Sequence, residues 1–403
     1  MMDIVDYKDL IDKCSHCAFC EAVCPVFKED LLETHVARSR LLIIKESLID
    51  HHLPVTRRVK EIVNRCLLCA QCKNACPAGV PVDDIVIAAR YNLYQGKRSP
   101  FFKRQIMKHI MAQRGKSDFF RRAGAFATKM GLDMADLPQI KRQSFSDMYQ
   151  GTYAPKSKRR AKVAYFAGCA TNAFYPDTGD AVMKVLSRNG VEITLPEGLV
   201  CCGIPALSEG DIETAKEMMK ININILSKTD ADYIVTDCTS CFMTLKEKSL
   251  TIIDGSDAIR QHAETVSLKI TDVMSFLNQT GLTDDFPALK ETYTYHIPCH
   301  ARGMADLMTA PVKLLSNVDQ ARYVILDDDN GCCGAGGMFF TEYKALSGAM
   351  RDKKCRAIRQ TAATTIVTQC PSCRTYIQAG FGNDKKVTHP MVLLARGYGL
   401  YIV

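Results

Sequence analysis

Eighteen of the nineteen cysteines in this 403-residue chain fall into four sets at fixed spacings, and no other feature limits its fold as strongly. Cys14, Cys17, Cys20 and Cys24 are followed by Pro25, and Cys66, Cys69, Cys72 and Cys76 by Pro77; both runs read C-x2-C-x2-C-x3-C-P, with a displacement of 52 residues. The third set is Cys169, Cys201, Cys202, Cys238 and Cys241, the fourth Cys299, Cys332, Cys333, Cys370 and Cys373, and only Cys355 stands outside. Members of the fourth set lie 130 to 132 residues after their counterparts in the third. So small a drift over such a distance marks a duplication.

In a reducing compartment that many cysteines point to metal ligation rather than to a disulfide framework. Composition agrees with a soluble globular chain of two or three domains, at 47% hydrophobic and 24% charged residues. No apolar run is long enough to span a bilayer, and Met1 to Cys14 is acidic without the apolar core of a signal peptide, so the expectation is a cytoplasmic protein. The formal charge of +8 falls once thiolates form, and no zinc-finger or helix-turn-helix spacing accompanies it, which argues against nucleic-acid binding.

Between and after the tetrads, apolar periodicity predicts helices over His35 to Asp50, Thr56 to Arg65 and Val82 to Tyr94. Lys97 to Met130 is basic and amphipathic, a solvated helix face or a docking face for a partner or the inner membrane surface. Gly131 to Lys162 has linker composition. A beta-alpha alternation follows, with strands at Lys162 to Phe166, Val191 to Leu195 and Tyr233 to Thr236 and helices at Asp177 to Arg188 and Asp211 to Leu226. It recurs as strands at Tyr293 to His296, Tyr323 to Leu326 and Thr364 to Val367, with helices starting at Pro311 and spanning Thr341 to Gln360. Such alternation gives parallel sheets whose strand ends carry the cysteines, where open sheets place ligands.

In the tetrad pattern, the first three cysteines wrap one corner of a cubane and the fourth reaches the other cluster, as in bacterial two-cluster ferredoxins. Cys14, Cys17, Cys20 and Cys76 are thus the expected ligands of one 4Fe-4S cluster, and Cys66, Cys69, Cys72 and Cys24 of the other. Zinc would leave half of each tetrad unexplained. For the five-cysteine sets, the alternatives are small buried hydrophobes, a redox dithiol, or an inorganic cofactor held from three loops. Two repeats of the same spacing favour the cofactor, and five sulfurs exceed what one tetrahedral zinc uses.

The chain resembles the CCG-domain iron-sulfur proteins: the iron-sulfur components of glycolate oxidase and lactate-oxidising complexes, the C subunit of anaerobic glycerol-3-phosphate dehydrogenase, and the D subunit of heterodisulfide reductase. The residues that carry the resemblance are Tyr165-Phe166-Ala167-Gly168-Cys169, Cys201-Cys202-Gly203, Asp237-Cys238-Thr239-Ser240-Cys241, Tyr295-His296-Ile297-Pro298-Cys299-His300, Gly331-Cys332-Cys333-Gly334-Ala335-Gly336-Gly337 and Gln369-Cys370-Pro371-Ser372-Cys373. It implies an α plus α/β fold: a helical ferredoxin domain with two 4Fe-4S clusters over residues 1–98, a basic helical segment and linker over 99–160, and CCG halves over 161–285 and 286–403. It also implies one further iron-sulfur cluster per CCG half, non-cubane 4Fe-4S in the heterodisulfide reductase branch.

The function so implied is that of an electron-transfer subunit. It takes electrons from a flavoprotein dehydrogenase, whose FAD sits on that partner, and passes them toward a quinone or cytochrome subunit at the membrane. The alternative is disulfide reduction at the CCG clusters. No nicotinamide, flavin or phosphate-loop fingerprint is present, and Gly331 to Gly337 reads as flexibility around cysteines. His300 is the candidate catalytic residue, weighed against a structural hydrogen bond to backbone. His16 reads as an exposed neighbour of the first tetrad that tunes its cluster's potential, His296 and His389 as packing residues, Arg302 as a surface salt bridge or a holder of an anionic partner, and Cys355 as a half-buried small hydrophobe.

Overall fold

The computed structural model describes residues 3–95, 98, 141–283, 289–327, 331–337 and 339–403. The basic stretch Lys97 to Met130 lies outside them, Arg98 excepted. The N-terminal part is helical. Val82–Tyr94 forms its central helix, opened by Asp83 and Asp84, whose charges suit a helix N-terminus. Arg57–Asn64 is capped by the Thr56 hydroxyl, which accepts from the Val59 amide. The expected helix at His35 to Asp50 is divided into a 3-10 turn at Glu33–His35, an α-helix at Ala37–Ile44 and a π turn at Lys45–Ile49.

Two sheets follow. The first holds β1 (Gly151–Tyr153), β2 (Ala161–Phe166), β3 (Val191–Leu195), β4 (Tyr233–Thr236) and β5 (Ile270–Asp272) in the order β1-β3-β2-β4-β5. All its pairings are parallel except β1 with β3. The second holds β6 (Glu291–Tyr295), β7 (Ala321–Tyr323), β8 (Thr365–Val367) and β9 (Lys386–Thr388), all parallel, in the order β7-β6-β8-β9. The orders correspond strand for strand, with β1 an added edge. The Val163 to Phe166 run is buried at every position, as a parallel strand covered on both faces requires.

The halves join through helices in exchanged positions. Pro176–Arg188, which follows β2, packs on Pro390–Gly397, which follows β9; Val273–Thr280, after β5, packs on Ala305–Leu315, after β6. Each contact is therefore the counterpart of the other, the pattern of a two-fold interface. Val182, Leu186, Met274, Leu314 and Leu393 share its core. A second core joins the N-terminal helices to the first half, uniting Ile85 and Ile87 with Leu207 and Met218. Within this joint Lys248 pairs with Asp83 and Asp84, all three buried.

Three expectations shift. The helix expected to start at Pro311 begins at Ala305 with Pro311 inside it. The carbonyl of Leu307, which a proline at 311 leaves without its helical partner, lies 3.2 Å from the Tyr295 hydroxyl, whose single proton it shares with Gln369 Oε1. The strand expected at Tyr323 to Leu326 lies at Ala321–Tyr323. The part of the expected linker that is described contributes β1 and the Ser144-capped turn Phe145–Met148, with Phe145 buried against Tyr165.

Candidate metal centres

Both tetrads are wound by the same backbone device. His16 and Ala18 in the first, and Leu68 and Ala70 in the second, have φ of 54°, 66°, 53° and 56°. Left-handed turns at non-glycine residues curl a chain tightly enough to aim amides inward, and the Leu68 amide donates to Cys66 Sγ at 3.4 Å. The short helices that follow, Phe19–Val23 and Gln71–Asn74, pack on each other. Cys66, Cys69 and Cys72 of the second tetrad and Cys24 of the first line one small pocket. Cys14, Cys20 and Cys76 are half-buried against the same hydrophobic core, and Cys17 is exposed. Arg90, buried, holds the second tetrad's approach by donating to the carbonyls of Val63, Asn64, Cys66 and Ser208 at 2.6 to 3.3 Å.

The five-cysteine sets sit where parallel strands end. Cys169 opens a short helix after β2, Cys201-Cys202 precedes a turn at Gly203, and Cys238 caps the helix after β4 that carries Cys241; the second half repeats the arrangement. Sulfurs approach at 3.4 Å for Cys169 and Cys201, 3.4 Å for Cys202 and Cys241, and 3.2 Å for Cys333 and Cys373. All ten cysteines line a single cavity of about 190 Å³. Leu67 and Leu68 line it too, and the same two residues line the pocket of Cys24, Cys66, Cys69 and Cys72. They form the partition between the two.

Thiol acidities show what such crowding demands. Bonds from neighbouring thiols pull Cys202 down to about 5, and Cys333 and Cys370 to about 6. Their partners Cys241 and Cys373 are driven well above the ordinary range, first by bonding to Cys202 and Cys333. Burial pushes Cys69 and Cys72 well up, and for Cys69 the next causes are Cys299 and Cys332 of the second half. Unaided, only some of these thiols ionise. A soft cation bound by all of them as thiolates removes the conflict, so the donor sets fit iron-sulfur clusters.

A CCG cysteine-rich domain model matches residues 163–246 and again 293–378, and a 4Fe-4S dicluster domain model matches 10–80. The chain is 25% identical to the probable glycolate oxidase iron-sulfur subunit of Bacillus subtilis, over 94% of this chain and 92% of the relative. It is 24% identical to a fumarate reductase (CoM/CoB) subunit of Methanothermobacter marburgensis, over 98% and 74%. Lactate utilization protein A of an Exiguobacterium species is 32% identical over 58% of this chain and 97% of the relative. This chain belongs to the CCG-domain iron-sulfur oxidoreductase subunits.

In this CCG protein His300 spans three modules. Its Nε2 donates to the Leu68 carbonyl at 3.1 Å, and its Nδ1 accepts from the Ser240 hydroxyl at 2.9 Å. Burial lowers its pKa and keeps the ring neutral. His389 is neutral for the same reason: Nε2 donates to the Asp237 carbonyl at 2.9 Å, while Nδ1 caps Pro390–Gly397 by accepting from the Met391 amide at 3.1 Å. His16 is exposed within the first tetrad's turn. Cys355 lies in the helix Lys344–Arg359, fully buried, and burial pushes its thiol up to about 11.

Arg302 is half-buried, and its guanidinium donates to the carbonyls of Ile297 at 3.2 Å and Gly331 at 3.4 Å and to Gln71 of the second tetrad at 3.3 Å. One reading of the CCG protein's sequence needs correction. The glycines around Cys332 mark close approach rather than flexibility. Gly336 has a φ of 49°, and a Cβ there would stand 2.2 Å from Leu67 Cδ2. His296, read from sequence as packing, is buried beside Cys333 and Cys373 and held well below the ordinary histidine pKa by burial, Lys354 and Arg302. Setting the halves side by side would have marked it, since Phe166 holds its place in the first half. Leu67, Leu68, Arg90 and Lys248 carry no such sequence signal. No helix among the described residues is long and apolar enough to cross a membrane.

Proposed function

We propose that this chain is the electron-transfer subunit of an oxidoreductase complex, relaying electrons from a flavoprotein dehydrogenase toward a quinone or another carrier. The observation that carries this reading is the shared Leu67-Leu68 wall, which leaves the second tetrad's pocket and the ten-cysteine cavity only side chains apart. Iron-sulfur clusters, when bound, accept and release single electrons without moving atoms through the protein. We assign Cys14, Cys17, Cys20 and Cys76 to one 4Fe-4S cluster and Cys24, Cys66, Cys69 and Cys72 to the other. One further cluster, of the non-cubane 4Fe-4S kind, belongs to each five-cysteine set.

The surrounding chain fixes distances. His300 ties the second CCG motif to Ser240 and Leu68, Arg302 ties it to Gln71, and Lys248 ties the first half to Asp83 and Asp84. Rigid separation is what a relay needs from its polypeptide. The dehydrogenase substrate is a 2-hydroxy acid such as glycolate or lactate, or glycerol-3-phosphate. Relatives named as a glycolate oxidase iron-sulfur subunit and as lactate utilization protein A support the first two.

A second reading, disulfide reduction, is favoured by the way both five-cysteine sets open on one cavity, with His300 on its wall as the candidate catalytic residue. The experiment separating the two uses anaerobic, cluster-loaded protein reduced by a viologen. Steady turnover of an added disulfide supports reductase chemistry. Reduction by a substrate-fed flavoprotein, with no disulfide turnover, supports the relay. Protein that binds no iron sinks both.

A further inference from the structure

Because the halves correspond strand for strand, each residue beside one five-cysteine set has a counterpart beside the other. Phe166 ends β2 three residues before Cys169, and His296 follows β6 three residues before Cys299. Both side chains are buried. The phenyl ring asks nothing polar of its surroundings. The imidazole does, yet neither ring nitrogen has a hydrogen-bond partner among the described residues, although the His296 amide is bonded to the Val367 carbonyl at 3.0 Å. A buried imidazole with both nitrogens unsatisfied forfeits its hydration and gains nothing that phenyl would not supply. One of its nitrogens lies with the sulfurs of Cys333 and Cys373, all within 4.8 Å of one another. A neutral imidazole beside thiolates is a transition-metal ligand.

We infer that His296 is a nitrogen ligand of the metal centre held by Cys299, Cys332, Cys333, Cys370 and Cys373. The second CCG centre then has a mixed sulfur and nitrogen donor set, while the first, with Phe166 in the equivalent place, is bound by sulfur alone. This deepens the iron-sulfur reading above and rests on it. His296 joins the five sulfurs without replacing any of them, so it adds a donor and leaves the charge of the ligand set unchanged. That centre is the one whose Cys332 shares a buried cluster with Cys69 of the second tetrad.

The test uses the full chain, loaded anaerobically with iron and sulfide and made with and without 15N-histidine. The second-centre signal is identified by its loss in C373S. Pulsed electron paramagnetic resonance should show histidine nitrogen coupled to that signal, retained in H300A and absent in H296F. The labelled wild type carries the test should H296F fail to fold. A second-centre signal without histidine coupling, or with coupling unchanged in H296F, overturns the assignment while leaving the cluster reading intact. About eight iron atoms per chain, enough for the tetrads alone, overturns both.

Discussion

Gln369 of the second half donates through Nε2 to Asp272 Oδ1 of the first at 2.6 Å, deep in the interface between them. The Tyr295 hydroxyl donates to the other end of the same amide and fixes its orientation. The counterpart contact across the approximate two-fold joins His389 to the Asp237 carbonyl. Asp272 and His389 hold equivalent positions, each capping the helix after the last strand of its half.

Asp272 makes stability depend on pH. Burial raises its carboxyl to about 7, against the lowering effect of the Met274 and Ser275 amides. The folded state thus holds the proton more tightly than the unfolded state, where the group titrates near 3.8. Its contribution is complete below that lower value and is lost as pH rises from about 4 to about 7. D272N mimics the protonated group. Melting curves should show the variant gaining on the wild type between pH 5 and pH 8, toward a limit on the order of 4 kcal/mol. Parallel profiles would count against the raised carboxyl.

Cluster content should follow the crossed pairing of the tetrads. C24S should remove the same paramagnetic signal as C69S, and C76S the same as C14S, each with a loss of about four iron atoms. If C24S instead groups with C14S, each tetrad closes on its own cluster.

Lys248 offers a test of how the helical part is held to the first half. Burial alone would lower its ammonium, but Asp83 and Asp84 outweigh it and raise the group. K248M leaves two buried carboxylates without their cation and should cost about 3 to 5 kcal/mol in denaturant unfolding. Adding D83N and D84N should recover most of that loss. A K248M variant as stable as the wild type would show that the triad does not hold the joint.

The wall at Leu67 depends on a residue in the opposite module. G336A places a side chain at a left-handed φ of 49° and against Leu67. We expect a loss of about 1 to 3 kcal/mol and slower reduction of the CCG centres by the second tetrad's cluster in stopped-flow. Unchanged stability and rate would show that Leu67 yields without cost.

Much of this architecture was legible in residues alone, because both periodicities are strong. Val82–Tyr94, Val191–Leu195 and Tyr233–Thr236 lie where apolar spacing and flanking turn residues place them. Cysteine spacing predicted the sets that line the shared cavity. Short elements escaped. β5, β9 and the helices Val273–Thr280 and Pro390–Gly397 are three to eight residues long, too short for a period to stand out. Pro311 misled because its helix is completed by Tyr295, a partner from a strand. Arg302 and His300 take their roles from Gln71 and Leu68, more than 200 residues away. Local sequence cannot foretell such pairings.

The exchanged helix packing between the halves has an ancestral consequence. A surface that maps onto itself under a half-turn can be built by two copies of one short polypeptide, so joining the copies head to tail demanded no new interface. What joining changed was independence. While the copies were identical, any substitution struck both metal pockets at once; in a single chain each pocket could drift alone, and Phe166 opposite His296 is the trace of that freedom.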